Sequence, residues 1–369
     1  MRTIAAVTEA VHAPFVLRAV DLDDLHAGEV LVRMVAVGIC HTDIAHRDGA
    51  AHFSLPAVLG HEGAGVVAAV GEGVSQLAVG DPVVMSYFAC RTCPQCQHQR
   101  PAYCAQAFAG NFAGARPDGS HTIRLDGQPI SSAFFSQSSF AHHAIADARN
   151  VVKVPKDLRL QDLAPLGCGF QTGAGAVLNS LKLEAGQSIA VFGAGAVGMA
   201  GIMAAKAAGA GQVIAIDLDE RRLDIAVELG ADLAFKGDQP DLVKTIRRAS
   251  RGGVDGAVEC VGSPAVLQSA FEVLGAGGAA VMLGLPPRGA KVSIDMGSLL
   301  MGRRLIGSIE GDADPQSFIP RLIELSRAGH FPFQRLLRFY PFEAINEAVA
   351  DMEAGQTVKP VLLMPESET

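Results

Sequence analysis

The chain has 369 residues, of which 49% are hydrophobic and 18% charged, and a formal net charge of −8 at pH 7. That length exceeds what a single hydrophobic core fills, so two domains are expected, and the composition excludes a disordered chain. The negative balance offers no basic field to nucleic acid or to an anionic membrane surface, which leaves small-molecule chemistry.

The first residues, MRTIAAVTEAVHAPFVL, lack the basic stretch and long apolar core of a secretory signal, and no apolar run approaches membrane-spanning length. A cytoplasmic location is expected, where thiols stay reduced. Residues 1–150 contain valine-rich runs punctuated by glycine (EVLVRMVAVGI, GAGVVAAVG, DPVVMSY), which predict a mostly antiparallel β domain. GICHTD carries Cys40, LGHEGAGVV carries His61 and Glu62, and LAPLGCGFQTGAGAV carries Cys168. Each alone is a weak signal, because a single Cys or His beside a strand is more often structural. Together they supply two thiolates and one imidazole, a zinc set that leaves a fourth position open to water or substrate.

CRTCPQCQHQRPAYC places Cys90, Cys93 and Cys96 at C-x2-C-x2-C spacing, with Cys104 following. Four thiolates can enclose one tetrahedral ion, and zinc suits an all-sulfur shell. An iron–sulfur cluster is the competing reading, but it commonly has proline after the last cysteine, whereas alanine follows Cys104. Closed on all four sides, such a site braces a lobe and does not catalyse. The glycine-punctuated loop 109–136 that follows is expected to line a binding site or a subunit contact.

Next, SIAVF leads into Gly193-x-Gly195-x-x-Gly198 and an alanine-rich helical pattern, and the strand QVIAID ends at Asp217. This spacing predicts a dinucleotide-binding unit, with the pyrophosphate at the helix N-terminus and Asp217 on the adenine ribose, favouring NAD over NADP. LAFKG, VDGAVECVG, AAVMLGL and RLIGSI continue the alternation, so a doubly wound parallel sheet is expected over 170–309. Cys260 reads as a core thiol of that sheet. PFEAINEAVADMEAGQTVKPVLLM predicts a helix and a last strand that return to the first domain. The expected division is 1–169 with a metal lobe at 88–106, then 170–309, then the return over 310–369.

GICHTD, LGHEGAGVV, CRTCPQCQHQRPAYC, LGCGFQTGAGAV, VFGAGAVG and PFEAINEA, in this order and spacing, resemble the zinc-dependent medium-chain alcohol dehydrogenases over essentially the whole chain. Alcohol dehydrogenase is also the general example of the open Cys2His zinc set. APLGCGFQTGAGAV and CHTDIAHRDG are most similar to bacterial aryl- and allyl-alcohol dehydrogenases. The resemblance implies an α/β Rossmann domain joined to a mostly β, GroES-like catalytic domain with a structural zinc lobe. It implies NAD, two zinc ions per chain, a small alcohol or aldehyde substrate and a homo-oligomer, dimer or tetramer. The implied reaction is reversible hydride transfer from a primary alcohol of the benzyl alcohol or geraniol type, giving aldehyde and NADH.

By position, the resemblance has Cys40, His61 and Cys168 hold the catalytic zinc, with Asp43 orienting His61 and Glu62 approaching the ion from behind. Thr42 hydrogen-bonds the alcohol. His41 and Lys359 reach the pyrophosphate, Thr172 and Val197 flank the nicotinamide, and Arg222 lies near the adenine ribose. Phe53, Ser86, Phe140 and Leu285 surround the substrate. Many relatives have a histidine where this chain has Ala45, so the proton relay is expected to open to water; His46, one residue on, points elsewhere on any regular element. Two alternatives are a glutathione-dependent formaldehyde dehydrogenase, with Arg116 or Arg124 as the cationic site, and a non-catalytic NAD- and zinc-binding redox sensor.

Overall fold

The strand Glu29–Gly38 buries alternate residues along most of its length and all of its last three, because one face of its sheet packs on the core and its far end is covered on both faces. A computed structural model of the chain describes residues 1–49 and 53–365. Among these, residues up to Cys168, Asp314–Pro320 and the residues from Gln334 onward form one compact unit; Gly169–Ala313 and Arg321–Phe333 form a second. The chain therefore changes unit after Cys168. Its return is interleaved, since Arg321–Phe333 belongs with the second unit.

In the first unit, Glu29–Gly38 pairs antiparallel with Glu62–Val70, His143–Asp147 and the late strand Lys359–Leu363. Pro82–Met85 and Val151–Lys153 extend this sheet on one side and Leu337–Pro341 on the other. A smaller sheet runs in the order Ala57–Val58, Arg2–Thr8, Val16–Leu22, Ile123–Leu125, Gln128–Pro129. The core between them contains Val30, Val32, Met34, Val83, Phe134 and Phe140. The β character read from the valine-rich segments is thus present, and the helix Ile345–Glu353 with its following strand does rejoin this unit.

The second unit holds six parallel strands in the order Leu233–Lys236, Gln212–Asp217, Ser188–Phe192, Val254–Glu259, Leu274–Met282, Arg304–Gly307. Numbered along the chain this is 3-2-1-4-5-6, the order of the dinucleotide-binding fold. The chain turns at Gly193 with φ of +93° and enters the helix Ala196–Ala207. A Cβ on Gly198 would collide with the Gly193 carbonyl oxygen, so this strand-to-helix turn closes only with glycine there. Cys260 lies one residue past Val254–Glu259, and burial together with Glu259 raises its thiol well above the ordinary range. Among the described residues, no helix is long and apolar enough to cross a membrane.

Candidate active site and metal centres

Cys40 caps the helix His41–Arg47, His61 directly precedes the strand Glu62–Val70, and Cys168 follows the short turn Ala164–Gly167. These three ends converge within the first unit. One ligand atom from each of Cys40, His61, Glu62 and Cys168 lies within 4.8 Å of the others. Asp43 organises the set: its Oδ1 accepts from His61 Nδ1 at 2.8 Å and from Gly60 N at 3.1 Å, and its Oδ2 accepts from Cys40 N at 3.0 Å.

That bond commits Nδ1 and leaves the opposite ring nitrogen, Nε2, buried with no hydrogen-bond partner. A buried polar atom is expensive to leave unpaired, and here it faces two sulfurs and a carboxylate. Cys168, then His61, draw the Cys40 thiol well below its usual range against the opposing effect of burial. Burial favours a neutral His61, but Asp43 and Cys40 outweigh it and hold the imidazole well above its ordinary value. An electronegative nest of this kind takes a cation in place of a proton, and the donor set fits zinc with one position to spare.

Glu62 stands behind the set, where the absence of a side chain on Gly38 makes room for its carboxylate. Burial pushes it up to about 7 against the pull of Lys359. Lys359 departs from the expectation: it is 2% exposed, and its Nζ donates to Glu62 Oε2 at 2.8 Å, Glu62 Oε1 at 2.9 Å and Ile39 O at 3.2 Å. An amine committed this way neutralises the carboxylate beside the metal site and is not available to a pyrophosphate.

In the second cluster, sulfur separations are 3.6 Å for Cys93–Cys96, 3.9 Å for Cys93–Cys104 and 4.0 Å for Cys90–Cys96. Four ligands at about 2.3 Å from a tetrahedral ion lie about 3.8 Å apart, so the cage has the size of a zinc–thiolate site. Backbone N–H groups of Cys90, Cys93, Ala105 and Gln106 donate to its sulfurs. All four cysteines are free of disulfides. Burial and the Cys93 sulfur push Cys96 up to about 12, whereas Thr92 and the Cys93 amide draw Cys90 down to about 6 despite burial. Adjacent thiolates resist joint ionisation, and a shared cation relieves that repulsion.

Aromatic rings line one side of the Cys40–His61–Cys168 set. Phe135 stacks on the His61 imidazole at 4.4 Å, and Phe134 meets His61, His46, Phe53, Phe112 and Phe135 edge-on. Phe53 belongs to this cluster. Phe140 does not: it is fully buried and packs edge-on against Phe15 at 5.5 Å, which makes it core. The expectation overlooked Phe112, Phe134 and Phe135, although the doubled phenylalanine inside the long loop was a visible signal. Ser86 is buried and its Oγ donates to Gly167 O at 2.6 Å, so it holds the residue before Cys168. His46 donates to or accepts from Thr42 O through Nδ1 at 2.8 Å and stacks on Phe112. Burial lowers its pKa, and it does not stand in for the histidine missing at Ala45. The Arg116 guanidinium is committed to Glu29, Asp23 and Asp24 O, which removes it as a glutathione site.

The residues expected on the cofactor side lie mostly in the second unit. Asp217 reaches the glycine-rich turn, its Oδ2 accepting from Ala194 N at 2.6 Å and its Oδ1 from Asp219 N at 2.9 Å. Thr172 Oγ1 donates to Glu310 Oε2 at 3.3 Å. Gly173, next in the chain, packs directly on the Val197 carbonyl, which places Thr172 near Val197. Arg222 is half-buried on the helix Glu220–Glu228, and Leu285 is exposed. His41, in the first unit, is exposed at the first turn of its helix.

Two family descriptions match the chain: the alcohol dehydrogenase GroES-like domain over residues 26–156 and the zinc-binding dehydrogenase over residues 196–327. The chain is 45% identical to geraniol dehydrogenase of Castellaniella defragrans over 362 residues, 97% of each chain. It superposes on benzyl alcohol dehydrogenase of Acinetobacter calcoaceticus with a TM-score of 0.96 and 43% identity, covering 99% of this chain and 100% of that one. An alcohol dehydrogenase zinc-binding domain protein of Burkholderia ambifaria gives a TM-score of 0.97 and 49% identity, with coverage of 99% and 100%.

Proposed function

Because the chain belongs to the zinc-dependent medium-chain alcohol dehydrogenases, enzymes of NAD-linked hydride transfer, we propose that it oxidises primary aryl or allyl alcohols, of the benzyl alcohol or geraniol type, reversibly to the aldehyde with NAD⁺. The observation that carries this reading is the aromatic wall beside His61: Phe135 on the imidazole, with Phe134, Phe112 and Phe53 behind it. A flat apolar group gains more from such a wall than a two-carbon alcohol can.

Cys40, His61 and Cys168 would hold a zinc ion, which would supply Lewis acidity for ionising an alcohol hydroxyl near neutral pH. The chain's own residues do the rest. Asp43 fixes the His61 tautomer and ring direction through Nδ1. Thr42, whose Oγ1 lies 3.7 Å from Cys40 Sγ, would accept the hydroxyl's hydrogen bond and relay its proton, releasing its own Oγ1 proton in the same step. With alanine at 45 and His46 turned into the aromatic cluster, the proton passes from there to water. Asp217 selects NAD, since its charge repels a 2′-phosphate. Phe134 and Phe135 exclude water from the imidazole.

The Cys90, Cys93, Cys96 and Cys104 cage takes the second zinc of each chain, a structural one. Seven free thiols suit a reducing compartment, the cytoplasm. Among the described residues, the strand Arg304–Gly307 of the second unit is an open sheet edge next to exposed Met296, Leu299, Leu300 and Met301. An apolar patch at an unpaired edge suits a second copy of the chain related by two-fold symmetry.

The test is NADH formation on benzyl alcohol, cinnamyl alcohol, geraniol, ethanol, and formaldehyde with glutathione, ranked by kcat/KM. An aryl or allyl alcohol leading by orders of magnitude supports the reading. Ethanol or the glutathione adduct in the lead sinks the aromatic-wall assignment.

A further inference from the structure

Between Ala133 and Ser138 the backbone leaves the usual regions repeatedly: Ala133, Phe135, Ser136 and Ser138 have φ of +54°, +51°, +54° and +50°. Side chains with a Cβ rarely adopt this conformation, and it persists only where surrounding contacts over-determine it. The turn delivers Phe135 to the face of His61 and, two residues later, drives the Gln137 amide into the layer behind the ligands.

Gln137 is 2% exposed. Its Nε2 donates to His61 O at 2.9 Å and to Ser86 O at 3.2 Å, and its Oε1 accepts from Gly63 N at 3.2 Å. Two carbonyls at one end and an N–H at the other settle which end is nitrogen. Ser86 passes the connection on, because its Oγ donates to Gly167 O at 2.6 Å and Gly167 precedes Cys168. Asp43 joins the Cys40 segment to His61. The route through Gln137 and Ser86 joins His61 to Cys168.

We propose that Gln137 is a positioning residue that sets the separation of the His61 imidazole and the Cys168 thiolate by clamping the His61 backbone and that of Ser86, whose hydroxyl holds Gly167, to one planar amide. The inference rests on the reading of Cys40, His61 and Cys168 as a metal site. Only a carboxamide meets the demand: two donors converge on buried carbonyls while one acceptor faces a buried N–H. A carboxylate of the same shape has no donors and sets its charge against both carbonyls; a thioether of similar length leaves all three groups unpaired.

The experiment uses full-length protein loaded with cobalt(II), comparing Gln137→Glu, Gln137→Met and Ser86→Ala with the parent. The visible d–d and thiolate-to-cobalt bands and the rate of cobalt release to a chelator are read separately for the two-sulfur and four-sulfur sites. Both Gln137 variants are expected to alter the two-sulfur spectrum and to release that cobalt about ten-fold faster, the lower end of the usual loss for outer-sphere partners. Ser86→Ala is expected to move the same readouts less far, and the four-cysteine lobe to stay unchanged. Unaltered spectrum and release in the Gln137 variants overturn the proposal. So does an equal change in both sites, which indicates general loosening. If the Gln137 variants do not fold, an unaltered two-sulfur site in Ser86→Ala overturns it. A parent protein that binds no cobalt at the two-sulfur site defeats the underlying metal-site reading instead.

Discussion

Phe135 lies over His61 with ring centroids 4.4 Å apart and planes 22° from parallel, so one face of the imidazole whose Nε2 is buried without a hydrogen-bond partner is walled by an aromatic surface. Replacing Phe135 by Leu removes the stacking ring and keeps an apolar side chain. Aromatic pairs of this kind contribute about 0.5–1.5 kcal/mol beyond area burial, and about 1.4 kcal/mol corresponds to ten-fold. We expect kcat/KM for benzyl alcohol to fall up to about ten-fold while that for ethanol changes little. An equal loss on both substrates assigns Phe135 to the fold alone.

Cys93 is one corner of the four-sulfur cage, 3.6 Å from Cys96 and 3.9 Å from Cys104. Purified protein is expected to hold two zinc ions per chain by elemental analysis. Cys93→Ser should lower the content to one and the melting temperature with it, because metal binding at a structural site is folding free energy. One zinc per chain in intact parent protein contradicts the division into a structural and a catalytic ion.

Stability should also depend on pH through His142. Burial lowers its pKa against the weaker opposing effect of Glu343, and its Nε2 has no hydrogen-bond partner. Below the unfolded value of about 6.5 the unfolded chain takes up a proton that the folded chain refuses. Stability is therefore complete above that pH and declines as pH falls through it. Melting curves of His142→Gln against the parent from neutral pH downward should converge above the histidine range and separate below it, the variant losing less. A constant difference across the range places His142 outside this effect.

Leu300 is exposed beside Arg304–Gly307, an edge strand among the described residues. If that face joins two copies, Leu300→Lys should shift the molecular mass in light scattering toward one chain while leaving the first unit's zinc content intact. A parent protein that is already a single chain excludes the oligomer.

Local chemistry was the most readable part of the sequence. Cys90 to Cys104 lie within one short lobe, and Gly193 to Gly198 within one turn, so spacing alone carries their geometry. Partners brought together by topology left no such trace. A lysine near the end of a chain reads as a surface charge, yet Lys359 meets a carboxylate 297 residues away. Which phenylalanine of the 134–140 stretch faces the site was equally hidden. Left-handed residues at Ala133, Phe135, Ser136 and Ser138 break the two-residue alternation that tells one face of a strand from the other, so residue pattern cannot replace the Phe140 that the resemblance implies with Phe135. Gln137 was hidden by the same turn.

The Lys359–Glu62 pair also implies an order of events during synthesis. Cys40, His61, Glu62 and Cys168 leave the ribosome well before the strand Lys359–Leu363 that slots beside Glu29–Gly38. Until that strand docks, Glu62 has no ammonium against it, and the central sheet of the first unit lacks the strand that carries one. Completion of the Cys40–His61–Glu62–Cys168 set is thereby expected to wait for translation of the last strand, so a chain halted before it should accumulate the cysteine lobe without a finished set.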